Sequence, residues 1–177
     1  MAVPRLLENW HAVRDFLESG GDILLAILVV TFLMWTLILE RYWYLSFSYR
    51  GVAKRVIDQW HGRHDRSSWF AHQVRRGTIS RISQELTGTI PLIKTLVALC
   101  PLLGLLGTVT GMVEVFDVMA LEGTGNPRAM ASGVSHATIP TMAGMTAALS
   151  GLIFSVQLDR WARAEAERLA DQLSPED

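Results

Sequence analysis

The chain has 177 residues, of which 50% are hydrophobic, and its 16 basic residues nearly balance its 17 acidic ones, giving a formal charge of −1. This balance argues against a basic surface that binds nucleic acid. The lone cysteine, Cys100, excludes an intramolecular disulfide and a multi-cysteine metal site, and we interpret it as a small buried residue. The hydrophobic residues occur in long blocks, which indicates an integral membrane protein.

The first block, residues 23–39, reads ILLAILVVTFLMWTLIL and contains no charged residue. With its flanks it reaches the roughly twenty residues that a helix needs to cross a bilayer, and Asp22 is a predicted N-cap. Aromatic residues suited to a membrane–water interface gather toward its end: Trp35, Tyr42, Trp43 and Tyr44. We predict a transmembrane helix over residues 22–45, preceded by a periplasmic amphipathic segment over residues 1–21.

Two further blocks, residues 92–121 and 130–158, are rich in glycine, alanine, serine and threonine. Small residues of this kind let the backbones of membrane helices approach closely. Gly107 and Gly111 form a GxxxG pair in the first of these blocks, and the second carries small residues at four-residue spacing on two faces. These patterns predict two transmembrane helices that form a close hairpin inside a larger bundle.

The charges of the connecting segments predict the orientation. Residues 41–81 hold nine basic and two acidic residues, whereas residues 1–22 hold two basic and four acidic ones. By the positive-inside rule the N-terminus is periplasmic, residues 46–91 form a cytoplasmic helical segment, residues 122–129 a periplasmic turn, and residues 159–177 a cytoplasmic tail. The predicted fold class is all-α, with three transmembrane helices in the bacterial inner (cytoplasmic) membrane and long helices that extend into the cytoplasm.

The sequence carries no motif for hydrolysis or phosphate binding. His61 and His64 are three residues apart, but no carboxylate or thiol cluster accompanies them. We therefore interpret them as surface residues rather than metal ligands. We predict no enzymatic activity, no metal site and no cofactor.

Polar residues inside the last two predicted spans give the strongest functional signal, because they are costly to place in a bilayer. If the hairpin turns at residues 124–125, residues whose numbers add up to 249 lie at equal depth. Thr108 then lies level with Thr141 near the midplane, and Gly111 lies level with Thr138. Hydroxyls at one depth, repeated around an oligomer, would form a polar ring. The alternative is that each threonine only bonds a carbonyl of its own helix.

The titratable residues of these spans are predicted to lie nearer the outer ends. At 1.5 Å per residue, Glu114 and Asp117 lie about 12 and 16 Å outward of the midplane, so no carboxylate is expected near it. His136 is predicted to be a pH-responsive group at the outer entrance, beside Glu114. The alternative is a histidine that only hydrogen-bonds a neighbouring subunit. Pro140 removes one helical hydrogen bond and frees the carbonyl of His136 for water or a hydroxyl.

Two stretches resemble the signatures of one membrane protein family. Residues 98–116, ALCPLLGLLGTVTGMVEVF, are similar to the signature A-P-L-L-G-L-L-G-T-V-x-G of the MotA/TolQ/ExbB proton-channel family. Residues 133–144, GVSHATIPTMAG, resemble its second signature, G-I-x-E-A-L-x-x-T-x-x-G. The short chain without a long tail, and its E-V-F-D-V-M segment, resemble the ExbB branch of secondary TonB systems more than TolQ or MotA.

The resemblance implies a homopentamer around a pair of transmembrane helices from an ExbD-like single-span partner, whose aspartate carries the proton. A TonB-like protein would transmit the work to outer-membrane transporters. Thr108 and Thr141 match pore threonines of the family, and Thr138 and His136 are assigned to the same ion pathway. The matching packing glycines are Gly104, Gly107, Gly111, Gly133 and Gly144. His136 replaces a frequent glutamate of the family and Pro140 a small residue, so the proton path is expected to depend more on the partner.

Three alternatives stay open at this point: a static membrane scaffold, a stand-alone channel, and a TolQ- or MotA-like stator that drives a different output. Resemblance to the ExbB branch favours H⁺ over Na⁺ as the transported ion. A neighbouring reading frame for a short single-span protein with an intramembrane aspartate would favour the motor.

Overall fold

The computed structural model describes residues 21–62, 68–122 and 127–173, and the regular structure within these ranges is helical. In chain order the helices are α1 (Gly21–Trp43), a π-helix (Tyr44–Ser48), α2 (Tyr49–His61), α3 (Trp69–Thr87), α4 (Ile90–Glu122) and α5 (Pro127–Gln172). The predicted all-α class is therefore confirmed for the described residues. The predicted amphipathic segment before the first span and the centre of the predicted hairpin turn, residues 124–125, lie outside them.

Three of the described helical stretches are long and apolar enough to cross a membrane: Gly21–Phe47, Trp69–Ala120 and Gly133–Gln172. Each overlaps one of the three predicted spans, so the prediction of three helices able to cross a membrane is confirmed. The prediction that Asp22 is an N-cap is wrong, because α1 already begins at Gly21 and Asp22 lies in its first turn. Gly21 has a φ of +60°, which glycine adopts at little cost because it has no Cβ.

The chain divides into two compact units, and the first combines residues up to Met34 with Thr95–Gly151. Its described part consists of the first half of α1 and the facing parts of α4 and α5. Its buried hydrophobic residues are Leu24, Ile27, Met34, Val97, Cys100, Val115, Ala137 and Ala147. Cys100 is fully buried, as its sequence context predicts, and its thiol donates to the carbonyl of Leu96 at 3.3 Å.

The second unit combines Trp35–Lys94 with the chain from Leu152 onward. It contains a buried cation, Arg41, which is only 5% exposed. The Arg41 guanidinium donates to the backbone carbonyl of Glu85 and lies 5.0 Å from the centre of the Tyr44 ring. Glu85 is in the last turn of α3, where backbone carbonyls lack helical partners, so Arg41 caps that helix and ties it to the end of α1.

A buried tyrosine makes a second tie within this unit. The Tyr49 hydroxyl donates to the backbone carbonyl of Glu165 at 3.2 Å. Burial raises the pKa of Tyr49, and the nearby Glu165 and Tyr44 side chains raise it further. Tyr49 therefore stays protonated, and remains a donor, throughout the physiological pH range.

Candidate functional site

The hairpin of α4 and α5 is held at very short range by glycines. A Cβ atom placed on Gly144 would lie 2.4 Å from the carbonyl oxygen of Cys100, and one on Gly133 would lie 2.4 Å from Cγ2 of Val115. Real Cβ atoms essentially never come closer than 3.0 Å to another heavy atom. The two helices can therefore touch at these levels only because the residues have no side chain.

The same contacts give the register of the hairpin. Cβ atoms placed on Gly107 and Gly111 would lie 2.4 Å from the Pro140 ring and 2.7 Å from the Cβ of Ala137, respectively. Gly111 was expected to lie level with Thr138, so at Gly111 the observed register differs from the predicted one by a single residue.

Gly104 lies against Thr141, where residue 145 was expected, and this is a difference of four residues. The prediction that Thr108 lies level with Thr141 is therefore wrong, because the pairing of the two helices shifts along the hairpin. An assumed turn at residues 124–125 gives only an approximate register for the two helices. The contacts of the glycines give the register directly.

Thr141 makes a hydrogen bond across the hairpin. Its hydroxyl donates to the carbonyl of Gly104 at 2.8 Å, and a Cβ on Gly104 would lie 3.0 Å from the Thr141 Cα. The absence of a side chain at Gly104 is what brings this carbonyl within reach of the hydroxyl. For Thr141, the alternative of a bond within its own helix is therefore wrong.

The other threonines bond within their own helices. The Thr108 hydroxyl donates to the carbonyl of Leu105 at 2.7 Å, and that of Thr138 donates to the carbonyl of Ser135 at 2.8 Å. A hydroxyl that donates in this way keeps its oxygen lone pairs available as acceptors. Both residues can thus accept a hydrogen bond from water or from a protonated carboxyl group.

Helical geometry separates the polar residues onto two sides of the hairpin. The close glycine contacts mark the interface between α4 and α5. With 3.6 residues per turn, Thr108 and Thr141 lie on one side of this interface. Glu114 and His136 lie on the other. Helix α1 packs on that second side, since Ile23 Cγ2 lies 3.3 Å from the Cβ position of Gly107.

We call the side opposite α1 the threonine side; it consists of Thr108, Thr141, Leu105 and Met145. Both threonines are partly exposed, and Leu105 and Met145 are 58% and 54% exposed. This is a hydrophobic surface with two hydroxyls on it, uncovered in the single chain. Such a surface inside a membrane suits contact with other transmembrane helices and with water between them.

The remaining predicted residues are placed as follows. Glu114, Asp117, Thr138 and His136 are all exposed in the single chain. Among the described residues, no group of three or more histidines, cysteines or acidic residues is arranged to hold a metal ion. His64, which the sequence places near His61, lies outside the described residues.

An ion pair that no sequence pattern indicated joins α4 and α5 near the ends of the last two predicted spans. Nζ of Lys94 lies 2.7 Å from Oδ2 of Asp159, and Nε of Arg163 lies 3.1 Å from Oδ1 of the same carboxylate. Arg163 follows Asp159 by four residues, a spacing that favours a pair on one helix face. The partner from α4, Lys94, is 65 residues away along the chain, and no local pattern points to it.

A glycine-packed hairpin is typical of helices that pack against each other inside a membrane, and polar side chains beside such a contact are costly there and mark candidate ion or substrate pathways. Residues 46–171 match the sequence model of the MotA/TolQ/ExbB proton channel family. The chain belongs to this family, which is a family of proton channels rather than of enzymes.

Curated relatives agree with this assignment. The chain is 39% identical over 87 residues to the biopolymer transport protein ExbB-like 1 of Synechocystis sp., covering 43% of this chain and 34% of that protein. It is 29% identical over 127 residues to the biopolymer transport protein exbB1 of Vibrio cholerae, covering 71% of this chain and 54% of that protein. The chain thus spans between about a third and about half of the length of these relatives.

Proposed function

We propose that the chain is the ExbB-like subunit of an inner-membrane motor driven by the proton motive force. With ExbD-like and TonB-like partners, this motor energises uptake through outer-membrane transporters. Membership of the proton channel family supports the class of function. The observation that carries the proposal is the threonine side, where Thr108 and Thr141 are partly exposed beside the closest contact of the hairpin.

The proposed topology has a periplasmic N-terminus and a cytoplasmic C-terminus. It has spans at residues 22–45, 92–121 and 130–158 of the inner membrane, and it rests on the excess of basic residues in the predicted cytoplasmic segments. Helix α5 has 46 residues and at 1.5 Å per residue is about 69 Å long, more than twice the thickness of a hydrocarbon core. A large part of α5 therefore extends beyond the membrane.

The chemistry of the ion pathway is divided between subunits in this proposal. Between Lys94 and Glu114 in α4, and between His136 and Asp159 in α5, there is no acidic residue. Threonine does not carry a proton at physiological pH, but its hydroxyl both donates and accepts hydrogen bonds. The threonine side therefore accepts from the protonated aspartate of an ExbD-like partner and, after rotation of a hydroxyl, donates to its ionised form.

The first test of the proposal is assembly. The exposed threonine side, together with the small residues of α4 and α5, offers each chain more packing surface than one hairpin uses. We expect native mass spectrometry in mild detergent to show a ring-sized homo-oligomer, a pentamer by analogy with the family, which retains a co-expressed ExbD-like protein. A clean monomer in several detergents, or an oligomer that never retains the partner, would contradict the proposal.

A second test concerns His136, which we propose as a pH-responsive group near the periplasmic entrance, on the same side of the hairpin as Glu114. Replacing His136 with glutamine keeps a hydrogen-bonding side chain but removes titration. We expect the variant to keep its oligomeric state and to lose part of the dependence of uptake on external pH. His72→Gln, at an exposed position on α3, is the control and should leave the pH profile unchanged. If the pH dependence of uptake is unaltered in the His136 variant, the histidine serves only to make hydrogen bonds.

A further inference from the structure

A stripe of four residues at four-residue spacing follows the end of the first span: Trp43, Phe47, Gly51 and Arg55. The two aromatic side chains are 70% and 74% exposed, and their ring centroids are 6.1 Å apart. Arg55 is also exposed, and its Nε donates to the carbonyl of Gly51 at 3.2 Å. Its side chain is therefore folded back toward the aromatic pair.

The π-helix reduces the spread of this stripe around the helix axis. In an α-helix, residues four apart drift by about 40° at each step, so positions 43 and 55 would point in different directions. A π-turn takes more residues per turn and compensates for this drift between Trp43 and Phe47. The two α-helical steps from Phe47 to Arg55 still drift by about 80°, so the stripe curves around the helix, with hydrophobic rings at its membrane end and a cation at its other end.

Gly51 leaves a notch in the middle of the stripe. A Cβ atom placed on Gly51 would meet no atom within 4 Å, so the space beside its backbone is open. The exposed Lys54 flanks this notch and adds a second positive charge. We call Trp43, Phe47, Gly51, Lys54 and Arg55 together the Gly51 notch.

We propose that the Gly51 notch binds the headgroup of an anionic phospholipid. Tryptophan and phenylalanine suit the boundary between the acyl chains and the headgroups, and the arginine and lysine complement a phosphate. Side chains on a helix lean toward its N-terminus, so Lys54 and Arg55 lean back toward the membrane that α1 spans. The proposal needs only that α1 crosses a membrane and is independent of the motor function.

Native mass spectrometry of the purified full chain tests the proposal by titration with phosphatidylglycerol or phosphatidylcholine. We expect the wild-type protein to retain phosphatidylglycerol preferentially. Arg55→Gln should lower that preference about fivefold, since a basic residue near a membrane surface contributes about 1 kcal/mol. Arg76→Gln is the matched control, because Arg76 is exposed on α3, which runs toward the second span and whose side chains therefore lean away from it.

A second pair of variants tests the notch without changing charge. Gly51→Leu fills the notch and should lower phosphatidylglycerol retention, whereas Gly77→Leu should not, although a Cβ at Gly77 also meets nothing within 4 Å. Wild-type retention in both the Arg55 and the Gly51 variant would overturn the proposal. A change of oligomer mass without a change in lipid preference would also overturn it, because a second copy of the chain would then occupy the stripe.

Discussion

Leucine in place of Gly144 is expected to remove nearly all correctly assembled protein from the membrane. Even the Cβ of an alanine would lie 2.4 Å from the carbonyl oxygen of Cys100, and this oxygen belongs to the backbone of α4. A backbone atom cannot rotate away like the end of a side chain, so the two helices must separate. Separation also breaks the bond from Thr141 to Gly104 and exposes closely packed surface on both helices.

The size of the effect should follow the size of the side chain. Gly144→Ala is expected to lower stability by about 1–3 kcal/mol, the usual cost of overfilling a packed contact, and Gly144→Leu by more. Gly77→Leu is the control, because that position is exposed and has open space around it. The measurement is the amount of oligomer of correct mass extracted from membranes. Wild-type amounts of the Gly144→Leu oligomer would refute the close contact of α4 with α5.

Valine in place of Thr108 is expected to leave the assembly intact and to reduce energised uptake at least about tenfold. The substitution keeps the volume of the side chain and removes only the hydroxyl, which in the present structure bonds the nearby carbonyl of Leu105. Its loss therefore costs little packing but takes away an acceptor and donor from the threonine side. Thr141→Val should have a similar effect on uptake, and Thr141→Ser should restore it.

The two threonines are expected to act as a unit, so the double variant should be no worse than the more severe single one. Thr110→Val is the control, since Thr110 is an exposed threonine on α4 whose hydroxyl also bonds its own helix. Helical geometry places it away from the threonine side. Uptake at the wild-type rate in both Thr108→Val and Thr141→Val would exclude the ion-pathway role and favour a static scaffold.

Sequence reasoning succeeded for features that follow from fixed helix dimensions. Length and apolarity give the three helices able to cross a membrane, and the rise per residue gives a hairpin register that is one residue off at Gly111 and four residues off at Gly104. It failed where the outcome depends on how close two helices come. The acceptor of the Thr141 hydroxyl is a carbonyl exposed by Gly104, and such a bond cannot be inferred before the contact distance is known.

Features of the second unit were missed for a similar reason. A π-turn has no distinct residue signature, so Tyr44–Ser48 appears in the sequence as a simple continuation of the first span. Arg41 appears as one of many basic residues beside a membrane. Its burial depends on a carbonyl of Glu85, 44 residues farther along the chain, and no periodicity in the sequence connects the two.

The buried thiol of Cys100 makes the protein convenient for chemical labelling. Fully enclosed beside the closest contact of the hairpin, it should be shielded from maleimides as long as α4 and α5 stay together. Cysteines introduced elsewhere can therefore map which loops face the periplasm and which face the cytoplasm, with the native residue left in place. Labelling of Cys100 itself would then signal that the hairpin has opened.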